Sequence, residues 1–187
     1  VQRVLYVVPT KVLRQDAVAN LSEQSQLRAI ALLSDEVPNP TVLEVDRRPS
    51  SWSDLEKCDV AVALPNALFD LIEDSPPPRD LFDLIIFDEA QRAWDKGKVE
   101  RRHKGVVVGS EPDMFIGMAN RIPDWGAVVG LIGTGQEIHD GEESGLQQWV
   151  DAIVNTGEMD NWDIHAPPGI IEQLEIGAIQ SYSEPLL

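Results

Sequence analysis

The run Leu84-Ile85-Ile86-Phe87, followed at once by Asp88-Glu89, constrains this chain more than any other stretch. Apolar residues on consecutive positions over a strand's length read as a strand buried on both faces. Such strands belong to parallel sheets covered by helices. The two acids then fall where the strand ends. In open α/β sheets, ligands bind outside the carboxyl ends of the strands. A carboxylate pair there can hold Mg2+, a hard cation that takes one or two protein carboxylates and fills its shell with water and phosphate oxygens. The pair can also steer a water. The same two residues equally suit a helix start, where Asp caps free amides and Glu complements the helix dipole. The string alone leaves both readings open.

Three further runs repeat the pattern. Val4–Val8 is closed by Pro9-Thr10, Val60–Leu64 by Pro65-Asn66, and Val128–Ile132 by Gly133-Thr134-Gly135-Gln136. Helical spacing lies between them. Leu13, Ala17 and Leu21 share one face behind Thr10, and a second helical piece is expected over Glu23–Ser34. Ala67–Glu73, Glu111–Arg121 and Glu142–Asn155 also read as helices, with Pro112 tolerated in a first turn. Leu146, Trp149, Val150 and Ile153 form the apolar face of the last of these. Short strands are expected at Thr41–Val45 and Trp162–Ala166, and a final helix at Ile170–Ile179. Pro38-Asn39-Pro40 and the Pro76-Pro77-Pro78 linker break the chain. Residues 96–110 are expected as a charged loop.

Strand and helix alternate throughout, which predicts an α/β fold: a mainly parallel sheet flanked by helices, in one domain over residues 1–187. In such a sheet the four strand ends lie on one edge. Pro9, Thr10, Asn66, Asp88, Glu89, Thr134 and Gln136 would gather there.

The balance of 15 basic against 32 acidic residues gives a net charge of −17, which opposes nucleic-acid binding by the bulk surface. The basic residues that do cluster are Lys96, Lys98, Arg101, Arg102, His103 and Lys104. No apolar run approaches the length of a membrane span, so no membrane partner is expected. The chain opens on a strand-like run rather than a basic region before an apolar one. Cys58 is the only cysteine, which excludes an internal disulfide and suits a reducing cytoplasm. His139 and His165 have no Cys or His at ligand spacing. Met114, Phe115 and Met118 read as core filler.

The order Pro9-Thr10, then Leu64-Pro65-Asn66, then Phe87-Asp88-Glu89-Ala90-Gln91, then Gly133-Thr134-Gly135-Gln136 resembles the first RecA-like domain of helicase-type, P-loop ATPases. Pro9-Thr10 looks like motif Ia, Asp88-Glu89-Ala90-Gln91 like the Walker B box, and Gly133–Gln136 like motif III. The longer run from Asp83 to Trp149 is similar to a bacterial family of helicase-like ATPases allied to the helicase domain of the Schlafen proteins. The resemblance implies Mg2+ and ATP as cofactors and DNA or RNA as partner. It implies that Asp88 holds Mg2+ through water and that Glu89, beside the metal, positions the attacking water as general base. Gln91, Thr134 and Gln136 would sense the nucleotide, Gln136 would also be catalytic together with Glu89, and Pro9, Thr10 and Asn66 would face the nucleic acid.

The sequence departs from that pattern in one respect. No GxxxxGK[ST] phosphate loop occurs in it. The resemblance places that loop ahead of Val1, leaving the RecA-like sheet incomplete at its phosphate-loop unit and the isolated chain without hydrolysis. The strand Val128–Ile132 would then present an unpaired edge. The alternative is an acidic α/β module that binds a protein partner and hydrolyses nothing.

Overall fold

The computed structural model describes residues 3–25, 27–32, 51–79, 81–103, 109–133, 145–171 and 174. They fall into two compact units. One comprises Val1–Glu89 with Arg121–Ile132, and the other Ala90–Asn120 with Gly133–Leu187.

Among the described residues, the first unit has five strands, β1 (Val4–Val7), β2 (Ala29–Ala31), β3 (Val60–Ala63), β4 (Leu84–Phe87) and β5 (Ala127–Gly130), with helices α1 (Lys11–Gln24) and α2 (Pro65–Asp74). Every pairing is parallel, in the order β2-β3-β1-β4-β5. The four apolar runs of the sequence are thus four neighbouring strands. β3 is buried at every position, as a strand covered on both faces must be. β4 alternates half-buried and buried residues. β5 is the outer strand among those described, and Val129, Leu131 and Ile132 there are 40%, 43% and 38% exposed.

One face of the sheet is packed by α1. Val8, Val60, Val62 and Leu64 form a cluster against which Tyr6, Ala17, Val18 and Leu21 lie. Ala17 and Leu21 of the expected apolar face of α1 pack there, joined by Val18, and only the first turn departs from the expectation. Leu13 is 41% exposed and Arg14 only 5%. The Arg14 guanidinium donates from Nη1 to the Leu32 carbonyl at 3.0 Å, so the buried stem ends on a hydrogen-bond acceptor. The helix expected over Glu23–Ser34 is also corrected. α1 stops at Gln24, and residues 29–31 are strand β2. Pairing with β3 outweighs local helical spacing here. The Arg28 carbonyl accepts from the amides of Asp59 and Val60, at 2.9 and 3.2 Å. Its guanidinium grips the Asp59 carboxylate through Nε at 3.1 Å and Nη2 at 2.9 Å.

The second unit is helical: α3 (Lys96–His103), α4 (Glu111–Ala119), α5 (Gln147–Asn155) and the short α6 (Pro168–Ile171). The stretch expected as a charged loop over 96–110 therefore contains helix at 96–103, while 104–108 lie outside the described residues. Two things fold it. Asp95 Oδ1 accepts from the Lys98 amide at 2.7 Å, an N-terminal cap, and Val99 is fully buried.

A capping box opens α4. Ser110 Oγ accepts from the Asp113 amide at 3.1 Å, and Asp113 Oδ2 accepts from the Ser110 amide at 2.8 Å. The buried Glu111 locks Trp94 in place. Its Oε2 accepts from the Trp94 amide at 2.9 Å, and its own amide donates to the Trp94 carbonyl at 3.0 Å. On α5, Val150, Ala152 and Ile153 are buried together with Gln148. The strand expected at Trp162–Ala166 is reduced to a single bridge residue, Ile164. Thr41–Val45 and most of Ile170–Ile179 lie outside the described residues. Among the described residues, no helix is long and apolar enough to cross a membrane.

Candidate functional site

The parallel registers bring the carboxyl ends of the strands level. Val7 stands beside Ala63 on one side and Phe87 on the other, and Phe87 beside Gly130. Along the edge, from β3 to β5, come Pro65-Asn66, Pro9-Thr10, Asp88-Glu89 and Leu131-Ile132. The ladder continues one step past β4. The Asp88 amide donates to the Val7 carbonyl and the Leu131 amide to the Phe87 carbonyl, both at 2.9 Å. The backbone of Asp88 is therefore fixed by the sheet.

Glu89 follows in the left-handed region at φ 59°, the one non-glycine residue with positive φ among those described. A side chain with a Cβ adopts that conformation at a cost, and such residues concentrate at functional sites. The helix-start reading of these acids loses its helix, because Asp88-Glu89 leads into a short 3-10 turn, Ala90–Arg92.

Asp88 has a neighbour that sequence reasoning missed. Tyr6 Oη lies 3.5 Å from Asp88 Oδ2, a long hydrogen bond across the β1–β4 pair. Burial, and next the Asp88 carboxylate, push the Tyr6 phenol above its ordinary pKa. The available signal was a lone Tyr in an otherwise aliphatic strand.

Thr10 is exposed, and its Oγ1 accepts from the Leu13 amide at 3.2 Å, so the hydroxyl caps α1. Asn66 is not a cap, since Leu64 holds that position and Pro65 the first turn of α2. Asn66 Oδ1 is buried without a hydrogen-bond partner among the described residues. In the second unit, Gln91 Oε1 accepts from the Gly133 amide at 3.2 Å. Thr134 and Gln136 lie outside the described residues.

Asp88 and Glu89 are both half-exposed oxygen donors at a strand end. Among the described residues no group of three or more His, Cys, Asp and Glu gathers to make a cage. The donor set fits a cation that keeps most of its waters, as Mg2+ does.

The all-parallel, helix-flanked sheet with acids at its carboxyl edge is an α/β fold of the RecA-like kind. The DEAD/DEAH box helicase family matches residues 1–114 of the 187, and the chain belongs to that family. The Pyrococcus furiosus Hef helicase domain is similar to it with a TM-score of 0.51 and 18% identity, over 83% of this chain and 28% of that one. A hypothetical ATP-dependent RNA helicase from Sulfolobus tokodaii matches with a TM-score of 0.46 and 12% identity, over 82% of this chain and 38% of that one. At such identities the likeness to Hef speaks to the fold alone. No curated protein matches the chain.

Proposed function

We propose that this chain is the first RecA-like domain of a helicase-like enzyme that couples Mg2+-dependent ATP hydrolysis to action on DNA or RNA. The observation that supports this is the end of β4. The sheet fixes the Asp88 backbone there, and the chain then turns through a left-handed Glu89. Phosphoryl transfer to water needs positioning and charge neutralisation more than covalent chemistry.

In this reading Asp88 holds the Mg2+ through water, with Tyr6 bracing one of its oxygens. Glu89, beside the metal, takes the proton of the attacking water. Mg2+, when bound, would neutralise charge on the phosphates. Gln91, Thr134 and Gln136 report the nucleotide's state to the rest of the molecule, and Pro9, Thr10 and Asn66 form the nucleic-acid side of the edge. The finer likeness, to the bacterial helicase-like family allied to the Schlafen proteins, rests on the string from Asp83 to Trp149. A cytoplasmic location belongs to the same proposal.

Binding energy for a triphosphate in this class comes mainly from the amides and lysine of a phosphate loop, and no such string lies between Val1 and Leu187. The chain by itself should therefore neither bind ATP tightly nor hydrolyse it. Calorimetric titration with Mg2+-ATP checks this. In a protein that carries this chain together with a phosphate loop, Glu89→Gln should keep nucleotide binding and nearly abolish hydrolysis. Turnover near the parent's would remove Glu89 from its role and favour a binding module that hydrolyses nothing.

A further inference from the structure

The hydrolysis site makes no use of the basic helix in the second unit. Arg92, Lys96, Lys98, Arg101, Arg102 and Lys104 are six of the 15 Lys and Arg residues, and residues 122–187 contain none. In a chain of net charge −17, positive charge is thus concentrated in one short stretch.

Helix α3 lays part of it out on one face. Lys98, Arg101 and Arg102 stand at i, i+3 and i+4, so their side chains are neighbours on the helix surface. Arg101 and Arg102 are exposed, whereas Val99 between them and Lys98 is fully buried and anchors the helix. Lys98 Nζ lies 4.5 Å from the centroid of the Trp94 ring. That cation–π contact orients its ammonium, and the backbone exchange with Glu111 holds Trp94 in turn. Lys96 is differently placed, 3.7 Å from Glu100 within the helix. Like charges at this spacing repel one another. A shared polyanion turns that repulsion into attraction, and releases counterions when it binds.

We propose that the Lys98–Arg101–Arg102 face of α3 binds the phosphodiester backbone of a nucleic acid. The acidic remainder of the chain repels the same backbone, which lowers the overall affinity and leaves α3 as the favoured approach. The inference shares with the proposed function only the partner, not the hydrolysis. It holds in the absence of nucleotide.

The test is fluorescence anisotropy of a short mixed-sequence single strand, labelled, in DNA and RNA versions, titrated with the nucleotide-free chain over a salt series. The parent should bind both. The triple variant Lys98→Gln, Arg101→Gln, Arg102→Gln should bind about tenfold or more weaker, with a slope of log affinity against log salt shallower by about 2 for three lost single-strand contacts. Circular dichroism and the melting temperature confirm its fold. Should it fail to fold, Arg102→Gln alone, at an exposed position, should lower the slope by about 0.7. Loss on DNA and RNA alike is expected, because the phosphate is common to both. No binding by the parent, a loss confined to one nucleic acid, or variants that keep the parent's affinity and slope would overturn the proposal.

Discussion

The backbone amide of Gly133 donates to Oε1 of Gln91 at 3.2 Å, across 42 positions of sequence. Gln91 ends the string Phe87-Asp88-Glu89-Ala90-Gln91, and Gly133 opens Gly133-Thr134-Gly135-Gln136. One polar contact in the second unit thus joins two strings that the sequence offers separately. The turn carrying Gln91 is held from α5. Trp149 Nε1 donates to the Ala90 carbonyl at 2.9 Å, and Gln148 Nε2 to the Ala93 carbonyl at 2.7 Å.

Replacing Gln91 by Ala removes the acceptor for the Gly133 amide. A net hydrogen bond is worth about 1 kcal/mol, roughly a fivefold change in an opening equilibrium. Amide exchange at Gly133 should speed up by about that factor in Gln91→Ala and much less in Gln91→Glu, which keeps an oxygen in place. Mass-spectrometric or NMR exchange reads the difference. Equal exchange in the parent and the Ala variant would mean the contact contributes nothing in solution.

Glu89 holds a backbone conformation that suits glycine, at φ 59°. Glycine there relieves strain but frees the unfolded chain. Glu89→Gly should therefore leave stability unchanged or raise it by up to about 1 kcal/mol, while Glu89→Val should lower it by about 1–2 kcal/mol. Urea denaturation of the two variants distinguishes strain from an ordinary surface position. A Gly variant clearly less stable than the parent would show that the contacts of the Glu89 side chain outweigh the backbone strain.

Asp59 gives a pH dependence with a definite sign. Hydrogen bonds from the Arg28 side chain, then from its backbone, hold the Asp59 carboxyl down at about 2. A carboxyl depressed on folding contributes stability above its unfolded value, and that contribution is lost as pH falls through the folded value. The loss should therefore fall between about pH 4 and pH 2. Asp59→Asn should flatten the stability profile in that window and leave its neutral end lower. The group is exposed and screened, so a profile measured in high salt should show a smaller effect.

Ser110 supports α4 through its capping box with Asp113. Ser110→Ala should cost about 1 kcal/mol, the usual worth of an N-cap. Ser110→Thr should restore most of it. Thermal melts of both variants check this, and an Ala variant as stable as the parent would remove the cap from the account of α4.

The four strands that form the carboxyl edge were legible in the sequence because burial on both faces is a local property. A run such as Val60–Ala63 declares it with every residue. The acids after β4 were legible for the same reason, since position relative to a strand end needs no partner to define it. β2 was not. Ala29–Ala31 carries helical spacing, and what makes it a strand is an edge of β3 and the carboxylate of Asp59, both distant in sequence. Arg14 reads as a surface cation until the Leu32 carbonyl appears beside it. α3 looked like a solvated loop, because its charges are local and the burial of Val99 is not.

The sequence by itself determined the fold class, the strand ends and the acids set there, since period and composition act within a few residues. The tertiary structure alone decided which residues those acids meet. Tyr6 comes to Asp88 through the parallel β1–β4 register, and Gln91 comes to Gly133 through α5's hold on the turn that carries it. Contacts between distant positions depend on how whole elements pack, and no local pattern encodes that.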